Sequence, residues 1–366
     1  MAILSDRLSD TRDSAPARMR TTADRGGSAA QQQAAPRSSL TRLRTAIGIS
    51  PDTRAAFGYR AADQRSYPQA LAVLELFKPI TWFPPMWAFA CGVVSSGAAL
   101  DGQLLTVFIG ILLAGPMVCA TSQAVNDWFD RHVDAINEPH RPIPSGRIPG
   151  NWGLAIACLW TVCSLGVAAL LGVWVFIAAI AGLLLAWAYS APPFRFKNNG
   201  WIGNAACGLS YEGLAWFTGA AVMLSAFPDW RIVALALLYS VGAHGIMTLN
   251  DYKAIDGDQT SGVRSLPVQL GEVRAGQIAC VLMLLPQIGV TALLVYWGQT
   301  SGVATTWHAL AIAALIVVQG AMMLRFLSNP TGRALWYSAC GVPLFVGGMM
   351  IAAFAVAPIV ANAGGL

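Results

Sequence analysis

The sequence predicts an all-α, polytopic membrane protein of about nine transmembrane helices around a central cavity, and three observations favour this class. Of its 366 residues, 55% are hydrophobic and only 11% are charged, whereas soluble domains carry about 25% charged residues. Apolar runs near the ~20-residue length that spans a bilayer recur from residue 79 onward. An acidic motif also occurs twice, each time at the end of such a run.

Residues 1–70 differ in composition from the rest of the chain. They hold eleven arginines and six acidic residues, and so account for the whole formal net charge of +5. Without a sustained apolar stretch, this segment cannot bury enough surface to fold alone. The six acidic residues also argue against a transit peptide. We expect a disordered, basic, cytoplasmic tail that touches anionic lipid, followed by a membrane domain over residues 71–366.

Nine apolar runs follow within the membrane domain. The third and fourth are separated by a tight turn near Gly172, because one span of both would be too long. The predicted spans are 79–99, 103–125, 152–171, 173–190, 201–223, 231–249, 276–297, 305–325 and 336–358. Nine spans place 22 of the 23 Lys and Arg residues on one side. The positive-inside rule then puts the N-terminus in the cytoplasm and the C-terminus on the opposite side.

A motif repeats at the cytoplasmic end of two even-numbered spans. Asn126-Asp127 is followed after 13 residues by Arg-Pro-Ile-Pro, and Asn250-Asp251 is followed after 12 residues by Arg-Ser-Leu-Pro. Because both copies begin at the same end of a helix, the repeat is parallel. We therefore expect two similar half-sites that face each other across a central cavity.

The first copy concentrates acidic side chains. It reads Asn126-Asp-Trp-Phe-Asp-Arg-His-Val-Asp134, and a helix would gather Asn126, Asp127, Asp130 and Asp134 on one face. Carboxylates this close repel one another, and a membrane nearby makes each more costly. A divalent cation would relieve both problems. Oxygen ligands suit Mg²⁺, which usually takes one or two carboxylates plus substrate phosphates.

The second copy adds further carboxylates and cations. Asp251 and Asp258 are seven residues apart and share a helical face, whereas Asp256 would point away if the helix continued. Cations able to hold diphosphate oxygens lie nearby: Arg141, Lys253 and Arg264. The spacing excludes a calcium hand, and zinc is disfavoured because no His/Cys set accompanies the carboxylates. The two copies together predict a site for a magnesium–diphosphate substrate.

These motifs resemble the UbiA-type superfamily of intramembrane prenyltransferases over about residues 75–358. Four stretches are more specifically similar to the chlorophyll and bacteriochlorophyll synthases: 126–146, 189–193, 199–204 and 250–258. The stretch Tyr211-Glu-Gly-Leu-Ala-Trp-Phe-Thr-Gly219 is more similar to the bacteriochlorophyll branch. The superfamily commonly has Asp where this chain has Ala254, which makes Asp256 a less favoured ligand than Asp251 and Asp258.

The resemblance implies a reaction and its cofactor. The propionate carboxylate of bacteriochlorophyllide a would attack C1 of geranylgeranyl or phytyl diphosphate, giving an ester and diphosphate. A propionic acid with a pKa of about 4.3 is already ionised near pH 7, so no strong base is needed. Mg²⁺ would be held by Asn126, Asp130, Asp251 and Asp258. Lys197 would join Arg141, Lys253 and Arg264 in holding diphosphate.

The resemblance also implies partners and a location. The expected partners are a prenyl diphosphate, a (bacterio)chlorophyllide and the lipid bilayer, with pigment-assembly proteins as a further class and no nucleic acid. The expected location is the inner, photosynthetic membrane of a bacterium.

Four residues are expected to contact substrate. Glu212 lies inside the fifth predicted span and should face the cavity, because a lipid-exposed carboxylate is costly. His244 lies in the sixth span, about 10 Å further into the membrane than Asp251, where it would ligate the chlorin magnesium or bond a neighbouring helix. Trp128 and Trp201 are the two tryptophans expected to touch substrate.

Other functions compete with this interpretation. The same motifs fit a chlorophyll a synthase, or prenyl transfer to a quinone precursor or a haem. A cation-coupled transporter is a different class, but transporters typically place ion sites at mid-membrane on broken helices. Here the carboxylates lie at one membrane face.

Overall fold

The computed structural model describes residues 66–364, so the predicted tail lies almost wholly outside the described residues. Over the described range the fold is all-helical, and the one extended pairing recorded there is an isolated bridge between Asn199 and Arg264. The helices, numbered in chain order, are α1 Ala70–Leu76, α2 Phe83–Ser95, α3 Leu104–Asn137, α4 Trp152–Leu171, α5 Val173–Ser190, α6 200–224, α7 Trp230–Asp251, α8 Ile255–Ser261, α9 Leu266–Leu270, α10 Glu272–Ser301, α11 Thr306–Leu327, α12 Pro330–Cys340 and α13 Val342–Gly364.

Seven stretches of helix in the described chain are long and apolar enough to cross a membrane. They are α3, α4, α5, α7, α10, α11 and the α12–α13 stretch. The two other predicted spans are also helical, but α2 has only 13 residues and α6 is interrupted in its middle. Large apolar side chains remain exposed on the outer helices, Leu170 at 87% and Trp307 at 79% among them. A bilayer would cover such surfaces.

The predicted turn between the third and fourth spans is present at Gly172. This glycine separates α4 from α5 with φ of 126° and ψ of 165°, a backbone conformation that side chains with a Cβ rarely adopt. The two helices therefore reverse direction within one residue.

Two helices contain a wide π turn in their middle. In α3 this turn is Leu113–Cys119 and includes Pro116, whose ring has no N–H to donate. The Pro116 carbonyl accepts a hydrogen bond from Trp160 Nε1 at 2.9 Å. In α6 the π turn is Leu209–Leu214. Such turns are frequent at functional sites, and both of these border the cavity described below.

Glycines bring α2 and α6 into backbone contact. A Cβ added at Gly92 would lie 2.0 Å from the Trp216 carbonyl oxygen, and one at Gly219 would lie 2.0 Å from the Phe89 carbonyl oxygen. Small residues permit this close approach in membrane helices, where packing rather than water exclusion drives association. The contact fixes α6 beside the cavity.

Candidate active site

A cavity of about 200 Å³ lies between α2, α3, α5, α6 and α7. Its walls are mostly apolar, with polar side chains contributed by α3, α5 and α6. The residues that line it are Pro85, Ala114, Val118, Cys119, Ser122, Gln123, Asn126, Gly182, Leu185, Ala186, Tyr189, Ala206, Cys207, Ser210, Tyr211 and Met247. A narrow apolar extension of about 40 Å³ continues past Leu113 and Thr218.

The four polar residues of the first acidic motif have two separate sets of partners and do not form a single cluster. Asn126 lines the cavity and donates hydrogen bonds from Nδ2 to Asp130 Oδ2 at 3.0 Å and to Ser190 Oγ at 3.2 Å. Since Nδ2 makes both bonds, Oδ1 is the acceptor atom that Asn126 offers to a ligand. Asp130 also forms an ion pair with Lys197. Asn126 therefore connects the cavity to the Asp130–Lys197 ion pair.

The other two carboxylates of the motif lie in a separate ion-pair network. Asp127 is 1% exposed and contacts Lys78 Nζ at 2.7 Å and Arg141 at 3.5 Å. Arg141 also contacts Asp134 at 2.9 Å. Burial alone would lower the pKa of Arg141, but the two carboxylates outweigh it and raise that pKa. Arg141, predicted to hold diphosphate, is thus already bound by two aspartates.

The second acidic motif begins where α7 ends. Asp251 is the last residue of α7, and its Oδ2 accepts a hydrogen bond from Asn204 Nδ2 at 3.1 Å. The chain leaves the helix directly afterwards, so Asp256 and Asp258 belong to the separate short helix α8. Burial raises the pKa of Asp258.

Lys253 and Arg264 have exposed side chains in the same loop region. Both were predicted to bind diphosphate, and both remain accessible to an anionic ligand at the cytoplasmic end predicted for this face.

The segment after α5 joins the two motifs. Gly200 N–H donates to the Arg264 carbonyl at 2.8 Å, and Arg264 N–H donates to the Asn198 carbonyl at 3.0 Å. Lys197, one residue before this pairing, reaches Asp130 of the first motif. Asn126 of the first motif and Met247, four residues before Asp251, both line the cavity. Each motif therefore begins at, or within one helical turn of, a residue that lines the cavity.

The donor set is compatible with Mg²⁺ bound together with a substrate. Within residues 66–364, no three His, Cys, Asp or Glu side chains come together as a ready-made metal cage. The predicted set of Asn126, Asp130, Asp251 and Asp258 is therefore not assembled around one point. Mg²⁺ nevertheless usually takes only one or two carboxylates and completes its shell with water and substrate phosphates. Oxygen donors contributed by two separate motifs are compatible with such a complex of metal and substrate.

None of the four expected substrate contacts lines the cavity: Trp128, Trp201, Glu212 and His244. Trp128 is 8% exposed and packs towards α4, where its Cε3 lies 3.0 Å from the position of a Cβ on Gly153. Arg131 covers the Trp128 ring with its guanidinium carbon 4.0 Å from the ring centroid. Trp128 does not line the cavity, because its position on α3 turns it towards α4.

His244 is bonded to a neighbouring helix. Its Nε2 donates to the Trp201 carbonyl at 3.1 Å, and the two rings lie with centroids 5.7 Å apart. This is the bond to a neighbouring helix that the sequence left open as the alternative to metal ligation. Trp201 itself is 40% exposed. Glu212 is buried in the π turn of α6, but its neighbours Ser210 and Tyr211 line the cavity in its place.

Sequence reasoning missed four polar residues of the site. Gln123, Ser190, Asn204 and Tyr211 all bond to a cavity or motif residue. The signal for them was a hydrogen-bonding side chain inside an apolar span. Hydropathy alone cannot distinguish such a residue from one that satisfies its own helix backbone.

Comparison with known proteins agrees with this geometry. Residues 81–339 match the UbiA prenyltransferase family. The chain is 55% identical over 292 residues to the bacteriochlorophyll synthase 33 kDa chain of Cereibacter sphaeroides, covering 80% of this chain and 95% of that protein. It is 39% identical over 292 residues to the chloroplastic chlorophyll synthase of Avena sativa, covering 77% of this chain and 75% of that protein.

A solved structure shares the fold. It is that of a UbiA homologue from Archaeoglobus fulgidus bound to GPP and Mg²⁺, with a TM-score of 0.57 and 21% identity over 78% of this chain and 99% of that one. The match over residues 81–339 covers most of the chain, and the cavity with its two acidic motifs lies inside that range. The chain belongs to the UbiA prenyltransferase family.

Proposed function

We propose that this prenyltransferase esterifies the propionate carboxylate of bacteriochlorophyllide a with a geranylgeranyl or phytyl group and releases diphosphate. The observation that carries the proposal is the 55% identity to a bacteriochlorophyll synthase chain over 80% of this chain. The cavity supports it, because Asn126 of the first acidic motif lines it and its other walls are mostly apolar. A prenyl diphosphate has the same order of charged head and apolar chain.

Mg²⁺ is the proposed cofactor, held with the diphosphate by Asn126, Asp130, Asp251 and Asp258. When bound, it would neutralise charge that develops on the departing diphosphate. Asn126 offers its Oδ1 towards the cavity, and the hydrogen bond from its Nδ2 holds Asp130 in place. On the other side, Asn204 orients Asp251 in the same way. Both carboxylates are thus positioned by an amide before any ligand binds.

Lys197 is the proposed principal cation for the diphosphate. It is paired with Asp130 at the cavity, so a small side-chain movement would bring its ammonium to a phosphate oxygen. Lys253 and Arg264 would add charge from the exposed loop. Arg141 has a different role in this proposal, since it organises Asp127 and Asp134. Diphosphate, the leaving group, would therefore be stabilised by positioned hydrogen-bond donors as it departs.

We further propose the finer topology that the sequence predicts. The fold would have nine spans with α2 and α6 included, a parallel repeat around the cavity, and a cytoplasmic N-terminus in the photosynthetic membrane. The distribution of Lys and Arg supports this orientation. Pigment-assembly proteins remain proposed partners. The transporter alternative is set aside, because the chain belongs to a prenyltransferase family.

A competition assay tests the function. Purified protein in detergent would receive geranylgeranyl diphosphate, Mg²⁺ and equal concentrations of bacteriochlorophyllide a and chlorophyllide a, with EDTA in a parallel reaction. We expect Mg²⁺-dependent ester, mostly of bacteriochlorophyllide a. Preferential use of chlorophyllide a would favour the second candidate, a chlorophyll a synthase, which the 39% identity to the Avena sativa enzyme supports. No ester from either pigment, in folded protein, would redirect the assignment to quinone or haem acceptors.

A further inference from the structure

Two hydrogen-bonded side chains, Gln123 and Tyr211, connect two walls of the cavity just below the acidic motifs, and we call this pair the polar rung. Gln123 on α3 donates a hydrogen bond from Nε2 to the phenolic oxygen of Tyr211, in the π turn of α6, at 3.1 Å. Cys119 Sγ lies 3.6 Å from the same phenolic oxygen. All three side chains line the cavity. Gln123 precedes Asn126 by three residues, which places the rung about 4.5 Å deeper along the helix.

The rung keeps hydrogen-bond donors available to a ligand. Because the phenolic oxygen of Tyr211 accepts from Gln123, the phenol retains its own proton to donate. The amide of Gln123 has two N–H bonds and uses one of them on Tyr211. Polar groups between apolar walls are costly unless bonded. A pair that satisfies itself and still offers donors is suited to receive an anion.

The proposed reaction brings an anion to this depth. Its nucleophile is an ionised carboxylate, which must reach C1 immediately beside the diphosphate. There it loses water and is repelled by Asp130 and Asp251, so donors near C1 have to replace the lost hydrogen bonds. The cavity of about 200 Å³ is smaller than the ≈300–1,000 Å³ typical of sites for drug-sized ligands. It therefore suits the propionate arm and the C1 end of the donor, with the macrocycle outside.

We infer that Tyr211 and Gln123 bind the acceptor carboxylate and aim it at C1 of the prenyl diphosphate. This inference rests on the proposed function and adds two positioning residues to it. The Tyr211 phenol and the Gln123 amide donate to the carboxylate oxygens, and Cys119 borders the phenol on its other side. The acceptor is thereby recognised through its charge and not only through its ring.

The test uses Tyr211→Phe and Gln123→Leu in the full chain, with Tyr239→Phe as the matched control. Tyr211→Phe retains the aromatic face and removes only the hydroxyl. Tyr239 is a fully buried tyrosine of α7 whose hydroxyl has no recorded partner within the described residues and does not line the cavity. We expect kcat/KM for bacteriochlorophyllide a to fall about 10- to 100-fold in both cavity variants, as for loss of a hydrogen bond to a charged group. The KM for geranylgeranyl diphosphate should stay unchanged.

Binding of an uncharged analogue separates positioning from a structural role. Wild-type protein should bind bacteriochlorophyllide a more tightly than its methyl ester, and both cavity variants should lose this preference while Tyr239→Phe retains it. Equal acid-to-ester preference in wild type and both variants would overturn the inference. This binding comparison needs no turnover, so it tests carboxylate binding by Gln123 and Tyr211 even if no ester forms. Failure of the proposed function would show instead as absence of ester in the wild type.

Discussion

At the scale of single residues, the acidic motifs contain two kinds of aspartate. Asp127 and Asp134 are buried and share Arg141, so their charges are satisfied inside the protein. Asp130 and Asp251 are each bonded by an asparagine amide, and one of these amides, that of Asn126, belongs to a residue that lines the cavity. Helical spacing alone grouped the first motif on one face. The partners of each carboxylate now separate a structural pair from a candidate ligand pair.

Removing the charge of a proposed metal ligand should lower turnover. We expect Asp130→Asn and Asp258→Asn each to lower esterification by about 100-fold or more, the loss typical for a missing group that stabilises developing charge. The thermal unfolding midpoint in detergent should change little. Unchanged Mg²⁺-dependent activity in both variants would remove these residues from the proposed metal site.

Asp127→Asn should lower stability and largely retain turnover, which is the opposite of the two variants above. It leaves Lys78 without its 2.7 Å carboxylate partner and weakens the bonds to Arg141. The expected loss is about 1–3 kcal/mol in the free energy of unfolding, the cost of an unsatisfied buried group. Denaturation in detergent measures it, and activity per folded molecule should be largely retained. A fully stable but inactive Asp127→Asn protein would contradict the structural role.

At the scale of elements, the cavity depends on irregular helices and close packing. The π turns of α3 and α6 place Cys119 and Tyr211 across from each other, and the glycines of α2 and α6 hold α6 in position. Outside the cavity, α1 is fixed to the loop before α4. Arg147 contacts Glu75 at 2.9 Å, and Gln69 N–H donates to the Arg147 carbonyl at 3.2 Å.

Two Gly→Ala substitutions should change the free energy of unfolding in opposite directions. Gly219→Ala places a Cβ 2.0 Å from the Phe89 carbonyl oxygen, and overpacking of this kind costs about 1–3 kcal/mol. At Gly166 no atom lies within 4 Å of an added Cβ, so Gly166→Ala should stabilise α4 by about 0.5–1 kcal/mol. Thermal unfolding in detergent compares the two. Equal midpoints would show that α2 and α6 do not pack as described.

The ion pair that fixes α1 should give a small pH-dependent stabilisation. The hydrogen bond from Arg147 lowers the pKa of Glu75 below its ordinary 4.5. Its contribution is therefore present above that pH and is lost as the pH falls through the lowered value. Both side chains are partly exposed, so Glu75→Gln should cost less than about 1 kcal/mol at pH 7. The difference in unfolding midpoint from wild type should shrink as the pH falls below 4.5 and disappear once Glu75 is protonated in the folded protein. A midpoint difference that persists at a pH where Glu75 is protonated would contradict this role of the ion pair.

At the scale of the whole molecule, sequence patterns predicted the helices better than the contacts. Hydropathy located every predicted span on a helix, and Gly172 marked the α4–α5 turn, because both signals are local. The four polar residues of the first motif lie within an arc of about 100° on a helix. The packing of distant segments decides which carboxylate pairs with Lys78, Arg141 or Lys197. Sequence spacing does not contain that information, and for the same reason it does not show that Trp128 packs towards α4.

The topology of nine spans can be measured directly. In a cysteine-free background, Gln259→Cys lies in the second acidic loop and Asp101→Cys lies between α2 and α3. We expect a membrane-impermeant maleimide to label position 259 from the cytoplasmic side of oriented vesicles and position 101 from the opposite side. Labelling of both from one side would show that the predicted count of spans is wrong.

The central claim is that the pigment carboxylate attacks C1 and diphosphate leaves with its bridging oxygen. Bacteriochlorophyllide a labelled with oxygen-18 in both carboxylate oxygens, incubated with geranylgeranyl diphosphate and Mg²⁺, tests it by mass spectrometry of the ester. The account predicts that both labelled oxygens remain in the product, because the bond broken is between C1 and the diphosphate. An ester that has lost one labelled oxygen would instead indicate activation of the carboxyl carbon and would contradict the account.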